Sequence, residues 1–219
     1  MGTPGGNDRM VRVSEVTYLP KQKVRVVLDN GLGYTILKSM YHERPLSVGD
    51  ELDAAEYADW ILKRQYRSAL DKAVSMLALR ARSRGEISQK LLRTGYSEET
   101  VNMVMYKLEK EGFLDDQDFA EQWTSYRSGQ KIGPRRISME LRQKGVSAAD
   151  TERALEDISE EELMESAVCV ARRYLSRTGK SEEPAKVRQK AVQAVVRRGY
   201  DWDLARQAVD QVLGQDDFE

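Results

Sequence analysis

A glycine recurs in this chain at positions 95, 145 and 199, each time inside one pattern. The segments are Leu91-Leu92-Arg93-Thr94-Gly95-Tyr96-Ser97, Leu141-Arg142-Gln143-Lys144-Gly145-Val146-Ser147 and Val195-Val196-Arg197-Arg198-Gly199-Tyr200-Asp201. Apolar residues match at fixed distances on both sides. Eight before each glycine stand Ile87, Ile137 and Ala191; ten after it stand Met105, Leu155 and Val209. A helix, a glycine stop, a cap and a second helix are thus written three times. Glycine ends the first helix because it accepts the left-handed position after the C-cap. The basic residues just before it favour the negative end of the helix dipole. Ser97, Ser147 and Asp201 can cap the helix that follows, with Tyr96, Val146 or Tyr200 pinning the corner.

A further helical stretch precedes each pair. It covers about 66–82 with Leu70, Val74, Leu77 and Ala81 in phase, then 118–128 with Phe119, Trp123 and Tyr126, then 163–177. The expected fold class is therefore mostly α, with three tandem three-helix repeats at 66–114, 115–159 and 160–214, followed by a short tail at 215–219. Such units stack because none buries its apolar face alone, which predicts an elongated, curved rod. Ahead of them, residues 1–8 read as a flexible start. A small antiparallel β-element is expected over about 9–38, turning at Asp29-Asn30-Gly31. It should pack on something helical, because a hairpin alone is marginal in water. The segment 9–65 joins this element to a helix starting near Asp53.

Composition removes several function classes. No run approaches 18 consecutive apolar residues, so no membrane span is expected. Cys169 and His42 are each the single residue of their type, which excludes an internal disulfide and a Cys- or His-rich metal site. No cofactor is expected, and an enzyme would have to rest on His42 and Cys169. Asp115, Asp116 and Asp118 read as capping residues rather than acid/base groups. Cys169 reads as a small buried hydrophobe. Phe119, Trp123 and Tyr126 read as packing residues, with a base-stacking platform as the alternative, and Trp60 and Trp202 read as packing residues. Without a charged-then-apolar leader, the expected setting is cytoplasmic.

Net charge is −1, but the charge is unevenly placed. The second helix of each repeat is basic: net +4 over 80–94, +4 over 131–145 and +7 over 172–198. Two readings stay open, a solvated face or a stripe that meets phosphates or an acidic protein groove. Gly133-Pro134-Arg135-Arg136-Ile137 also has two readings. It is a helix start with Pro in its first turn, or a positive helix end joined to two arginines as an anion site.

Asp115-Asp116-Gln117-Asp118-Phe119-Ala120, Arg127, Gly133-Pro134-Arg135-Arg136-Ile137 and Glu140-Leu141-Arg142-Gln143-Lys144-Gly145-Val146 together closely resemble the signature of the bacterial RecX regulatory proteins. Leu77 through Gly95 resembles that family's first repeat, and the third repeat resembles it weakly. Gly85 departs from the pattern, since the family more often has a non-glycine residue there. The resemblance implies a non-enzymatic regulator in recombination, DNA repair and the SOS response. It implies a partner, the RecA recombinase filament on single-stranded DNA, whose assembly, ATP hydrolysis and strand exchange it limits. It also implies weak affinity for single- or double-stranded DNA. The expected contacts are Arg135, Arg136, Arg142 and Lys144, then Arg84, Lys90 and Arg93, then Arg188, Lys190, Arg197 and Arg198. A rod of repeats has no need to dimerise, so a monomer is expected. The rival reading is a direct DNA-binding helical repeat protein.

Overall fold

The structure, a computed structural model, describes residues 10–177 and 183–216. The expected flexible start at 1–8, and Lys180 and Glu182 of the third basic stretch, lie outside the described residues. The elements run β1 (Met10–Leu19), β2 (Lys23–Leu28), β3 (Gly33–Leu37), α1 (Lys38–Glu43), β4 (Glu51–Asp53), α2 (Ala54–Leu79), α3 (Arg84–Thr94), α4 (Glu98–Lys110), α5 (Asp116–Gly129), α6 (Pro134–Gln143), α7 (Ala148–Glu156), α8 (Glu160–Leu175), α9 (Pro184–Arg197) and α10 (Trp202–Asp216). Helix α10 thus continues two residues into the expected tail. The chain forms two compact units, divided between Leu114 and Asp115, with Ser83–Gly85 belonging to the second.

The first unit opens with an antiparallel sheet in the order β3-β2-β1-β4. Gly31, at φ 85°, makes the expected turn between β2 and β3. The turn between β1 and β2 carries Lys21 and Gln22 at φ 58° and 57°, where no Asn-Gly signal marks it. The expected hairpin is thus part of a larger sheet. Val13, Val24, Val26, Leu28 and Ile36 alternate inward and pack on Met40 and Tyr41 of α1 and on Tyr57 and Ile61 of α2.

Helix α2 is one continuous helix, because no Gly or Pro interrupts it; Asp53 caps it by accepting from the Ala55 and Glu56 amides. It begins well before 66, and its second half buries Ala69, Ala73 and Met76 rather than the expected stripe. Val74 is exposed, Leu70 and Leu77 are half-buried, and Ala81 lies beyond the helix end. Three small or flexible side chains let Ile87 and Leu91 of α3 and Val104, Met105 and Leu108 of α4 approach closely. Lys23 of the sheet lies over Gly95 at the end of α3, where its ammonium faces the negative helix end.

The second unit holds two more three-helix repeats, α5–α7 and α8–α10, each with its own buried cluster. All three repeat glycines are left-handed, at φ 113°, 81° and 99°. Ser97 and Ser147 cap α4 and α7 as their positions predict. Tyr96, Val146 and Tyr200 are buried at the corners. Three packing expectations fail. Cys169 is exposed. Tyr126 is 60% and Trp202 49% exposed. On α8 and α10 small residues, Ala167, Ala171 and Ala205 among them, take the inward positions, and on α5 Phe119, Ala120 and Thr124 do. No helix of the described residues is long and apolar enough to cross a membrane.

Candidate functional site

The basic second helices of the repeats meet other parts of the chain through their ends. A helix leaves its first amides and last carbonyls without intrahelical partners. In the second unit these orphans answer one another. Gly133 N–H, just ahead of α6, donates to Arg198 O at the end of α9, and Arg135 N–H donates to Gly199 O, at 2.9 and 3.0 Å. The remaining first-turn amides of α6, those of Arg136 and Ile137, donate to Gly133 O. The anion-site reading of Gly133-Pro134-Arg135-Arg136 is therefore wrong. Its amide donors are spent on the α9 terminus, and the negative end of α9 already neutralises the dipole.

A related contact occurs at the other end of α6. The Ser83 hydroxyl donates to Lys144 O at 2.5 Å, and the Arg84 amide donates to Asp116 Oδ1 at 2.7 Å. Ser83 stands in the repeat where Gly133 stands one unit later, so a side-chain hydroxyl replaces a backbone amide. A Cβ on Gly85 would lie 2.5 Å from Lys144 O. That approach explains the glycine that departs from the expected pattern.

These contacts gather part of the expected set. Arg84 stands beside the Lys144–Gly145 turn, and Arg135 and Arg136 stand beside the Arg197–Gly199 turn. Lys90 and Arg93 belong to the other unit, on exposed positions of α3. Several expected contacts are engaged within the fold. Arg135 is ion-paired with Asp201, and Arg136 with Glu140 at 3.4 Å. Arg188 grips Asp210 with two bonds of 2.6 and 2.8 Å. The hydrogen bonds and charge of Arg188 hold the Asp210 carboxyl below its ordinary range. Lys144 places its ammonium 4.1 Å from the centre of the Trp123 ring. Among the described residues the Arg93 side chain bonds to Gln89, at 3.3 Å, and that of Arg198 to Gln130 O, at 3.4 Å. Arg142 and Arg197 are exposed, and their side chains make no hydrogen bond or ion pair with a described residue. Lys190 is exposed as well.

One cluster was not anticipated. Glu140 accepts from Arg127 Nε and Nη2 at 2.7 and 2.6 Å and from Trp123 Nε1 at 3.2 Å. Both ionic side chains are only 15–17% exposed. Burial alone would raise the Glu140 carboxyl, but Arg127, Trp123 and Arg136 together outweigh it and hold it below its ordinary value. Its sequence signal was available, since Glu140 is the one acid among the basic residues of 131–145.

Models of the three RecX three-helix domains match in order: the first over residues 69–108, the second over 115–155 and the third over 160–209. The chain belongs to the RecX family. A relative from Leuconostoc mesenteroides, named Regulatory protein RecX, is 29% identical over 215 residues, which cover 96% of this chain and 79% of the relative. One of the same name from Mycobacterium sp. (strain JLS) is 36% identical over 140 residues, covering 61% of this chain and 75% of the relative. A crystal structure of regulatory protein RecX is similar in fold, with TM-score 0.65 and 23% identity over 91% of this chain and 99% of that one. The RecX structure from Lactobacillus salivarius gives TM-score 0.63 and 20% identity over 68% of this chain and 97% of that one. The three RecX domains coincide with the three helical repeats, so the joints described above lie within and between domains of a regulatory family.

Proposed function

We propose that this chain binds the RecA recombinase filament on single-stranded DNA and limits its assembly, ATP hydrolysis and strand exchange, without catalysing a reaction of its own. It acts in the cytoplasm as a monomer. The observation that carries this reading is the ordered match of all three RecX domains across residues 69–209. The charge placement supports it. The helix-end amides and carbonyls at the joint of α6 and α9 are used within the fold. The side chains left for a partner there are cationic. Regulation requires unequal affinity for two filament states, since equal binding shifts nothing.

The contact set separates into two kinds. Arg142 and Arg197, followed by Arg84, Lys90, Arg93, Lys144, Lys190 and Arg198, are the leading contacts. Arg135, Arg136 and Arg188 reach a partner only in competition with Asp201, Glu140 and Asp210. The test is the double variant Arg142→Glu, Arg197→Glu, chosen because neither side chain holds the fold together. Its inhibition of recombinase ATP hydrolysis on single-stranded DNA should weaken at least about tenfold, through the encounter rate above all. Unaltered potency with an unaltered thermal melt would reject this contact face.

A further inference from the structure

The second half of α8, the last turn of α9 and the residues after α5 line a half-open cavity of about 220 Å³. Lys131, Arg173, Arg177 and Arg198 line it together with Tyr174 and Gln130, and no carboxylate does so among the described residues. Only Arg198 belongs to the contact set read from the sequence. Lys131, Arg173 and Arg177 form no ion pair with a described residue. Arg198 is steered by its bond to Gln130 O.

Four basic side chains line this one small cavity, Lys131 and Arg198 half-buried, Arg173 and Arg177 exposed, and their charges repel one another unless something negative lies among them. Part of that is supplied by the fold. The C-terminal ends of α5, α8 and α9 all reach this cavity. The α9 end is already answered by the α6 amides, so α5 and α8 contribute roughly half a negative charge each, about −1 in all against four cations. A clear positive excess remains, and a phosphate group, at about −1.5 to −2 at neutral pH, offsets more than half of it. Lys131 adds a separate indication. It follows the C-cap of α5 at φ 58°, a left-handed position that ordinarily takes glycine, so the chain keeps a lysine there against its backbone preference.

We propose that this cavity binds a phosphate group, delivered either by a small phosphorylated molecule or by a nucleic acid strand. The assignment does not rest on the recombinase, and its test contains none. The full-length protein is titrated with inorganic pyrophosphate by calorimetry, and with a labelled twenty-nucleotide oligo-dT by fluorescence anisotropy. Wild type is compared with Arg173→Gln, Arg177→Gln, with Lys131→Gly, and with the control Arg67→Gln, Lys110→Gln from the first unit. Wild type and control should bind pyrophosphate with a saturable isotherm, and the arginine pair should weaken it at least about tenfold. Lys131→Gly should weaken it while leaving the thermal melt unchanged or raised, which separates lost binding from lost folding. If the strand uses the cavity too, the arginine pair flattens the slope of log K against log salt by roughly 1.4. If only pyrophosphate binding falls, the ligand is a small phosphorylated molecule. Absence of saturable pyrophosphate binding, equal weakening by the control pair, or displacement of pyrophosphate by polyglutamate at equal charge would overturn the proposal.

Discussion

Glycine does two different jobs in this chain, and the difference is measurable. Gly112, at φ 73° after α4, has open space where a Cβ would go. Alanine there meets only the left-handed backbone penalty, about 1 kcal/mol. Gly199 is left-handed as well, but a Cβ there would lie 2.5 Å from the Arg136 Cβ and 2.7 Å from its amide nitrogen. Gly133 has an ordinary φ of −79°, yet its Cβ would stand 2.5 Å from Tyr200 N. Alanine at either joint position must therefore push α6 away from α9 and stretch the two backbone bonds between them. The expected loss is about 2–4 kcal/mol for Gly199→Ala and about 2–3 kcal/mol for Gly133→Ala, against about 1 for Gly112→Ala. Urea unfolding of the three variants checks this. Equal losses at all three positions would show that conformation, not close approach, is what the joint glycines supply.

An ionic clamp joins helices α5 and α6 in addition to their apolar packing. Arg127 of α5 and Glu140 of α6 are nearly enclosed, so breaking the pair leaves a charge in a poor environment. Glu140→Gln should cost about 2–3 kcal/mol at neutral pH. The folded protein holds the Glu140 carboxyl below its ordinary value of 4.5. Its contribution is thus present above pH 4.5 and disappears as acid carries the pH down through the lowered folded value. In the Gln variant that part of the acid loss should vanish, giving a flatter stability profile below pH 4.5; parallel profiles would remove the clamp from the acid response. Much of the repeat pattern was readable beforehand, because glycine stops, serine caps and inward apolar residues act locally. Helix α1 and strand β4 were not readable, since each is short and made by packing rather than by its own propensity. The buried stripe of α2 was read one residue out of register because small alanines, not the larger Leu70 and Val74, face the core. The charge of the candidate surface was visible in the sequence, while its pairing was not. Arg135 meets Asp201 sixty-six residues away, and Arg188 meets Asp210 on a different helix.

Each of the two units has the material to fold by itself. The first carries two buried clusters, one under the sheet and one among α2, α3 and α4, and α2 contributes to both. Chains of about a hundred residues bury roughly two thirds of their surface, enough for ordinary marginal stability. A fragment of residues 1–114 should therefore unfold cooperatively in urea, followed through Trp60. The fragment 115–219 should do so as well, followed through Trp123 and Trp202. It lacks Ser83 and Gly85, so Lys144 O turns to water and the end of α6 frays. A full-length Ser83→Ala variant removes the same bond without cutting the chain, and should lower the midpoint of the Trp123 transition by about 1 kcal/mol of stability. If 1–114 remains unfolded alone while 115–219 folds, α2 draws its stability from outside the first unit. The two buried clusters assigned to that unit would then be insufficient to explain it.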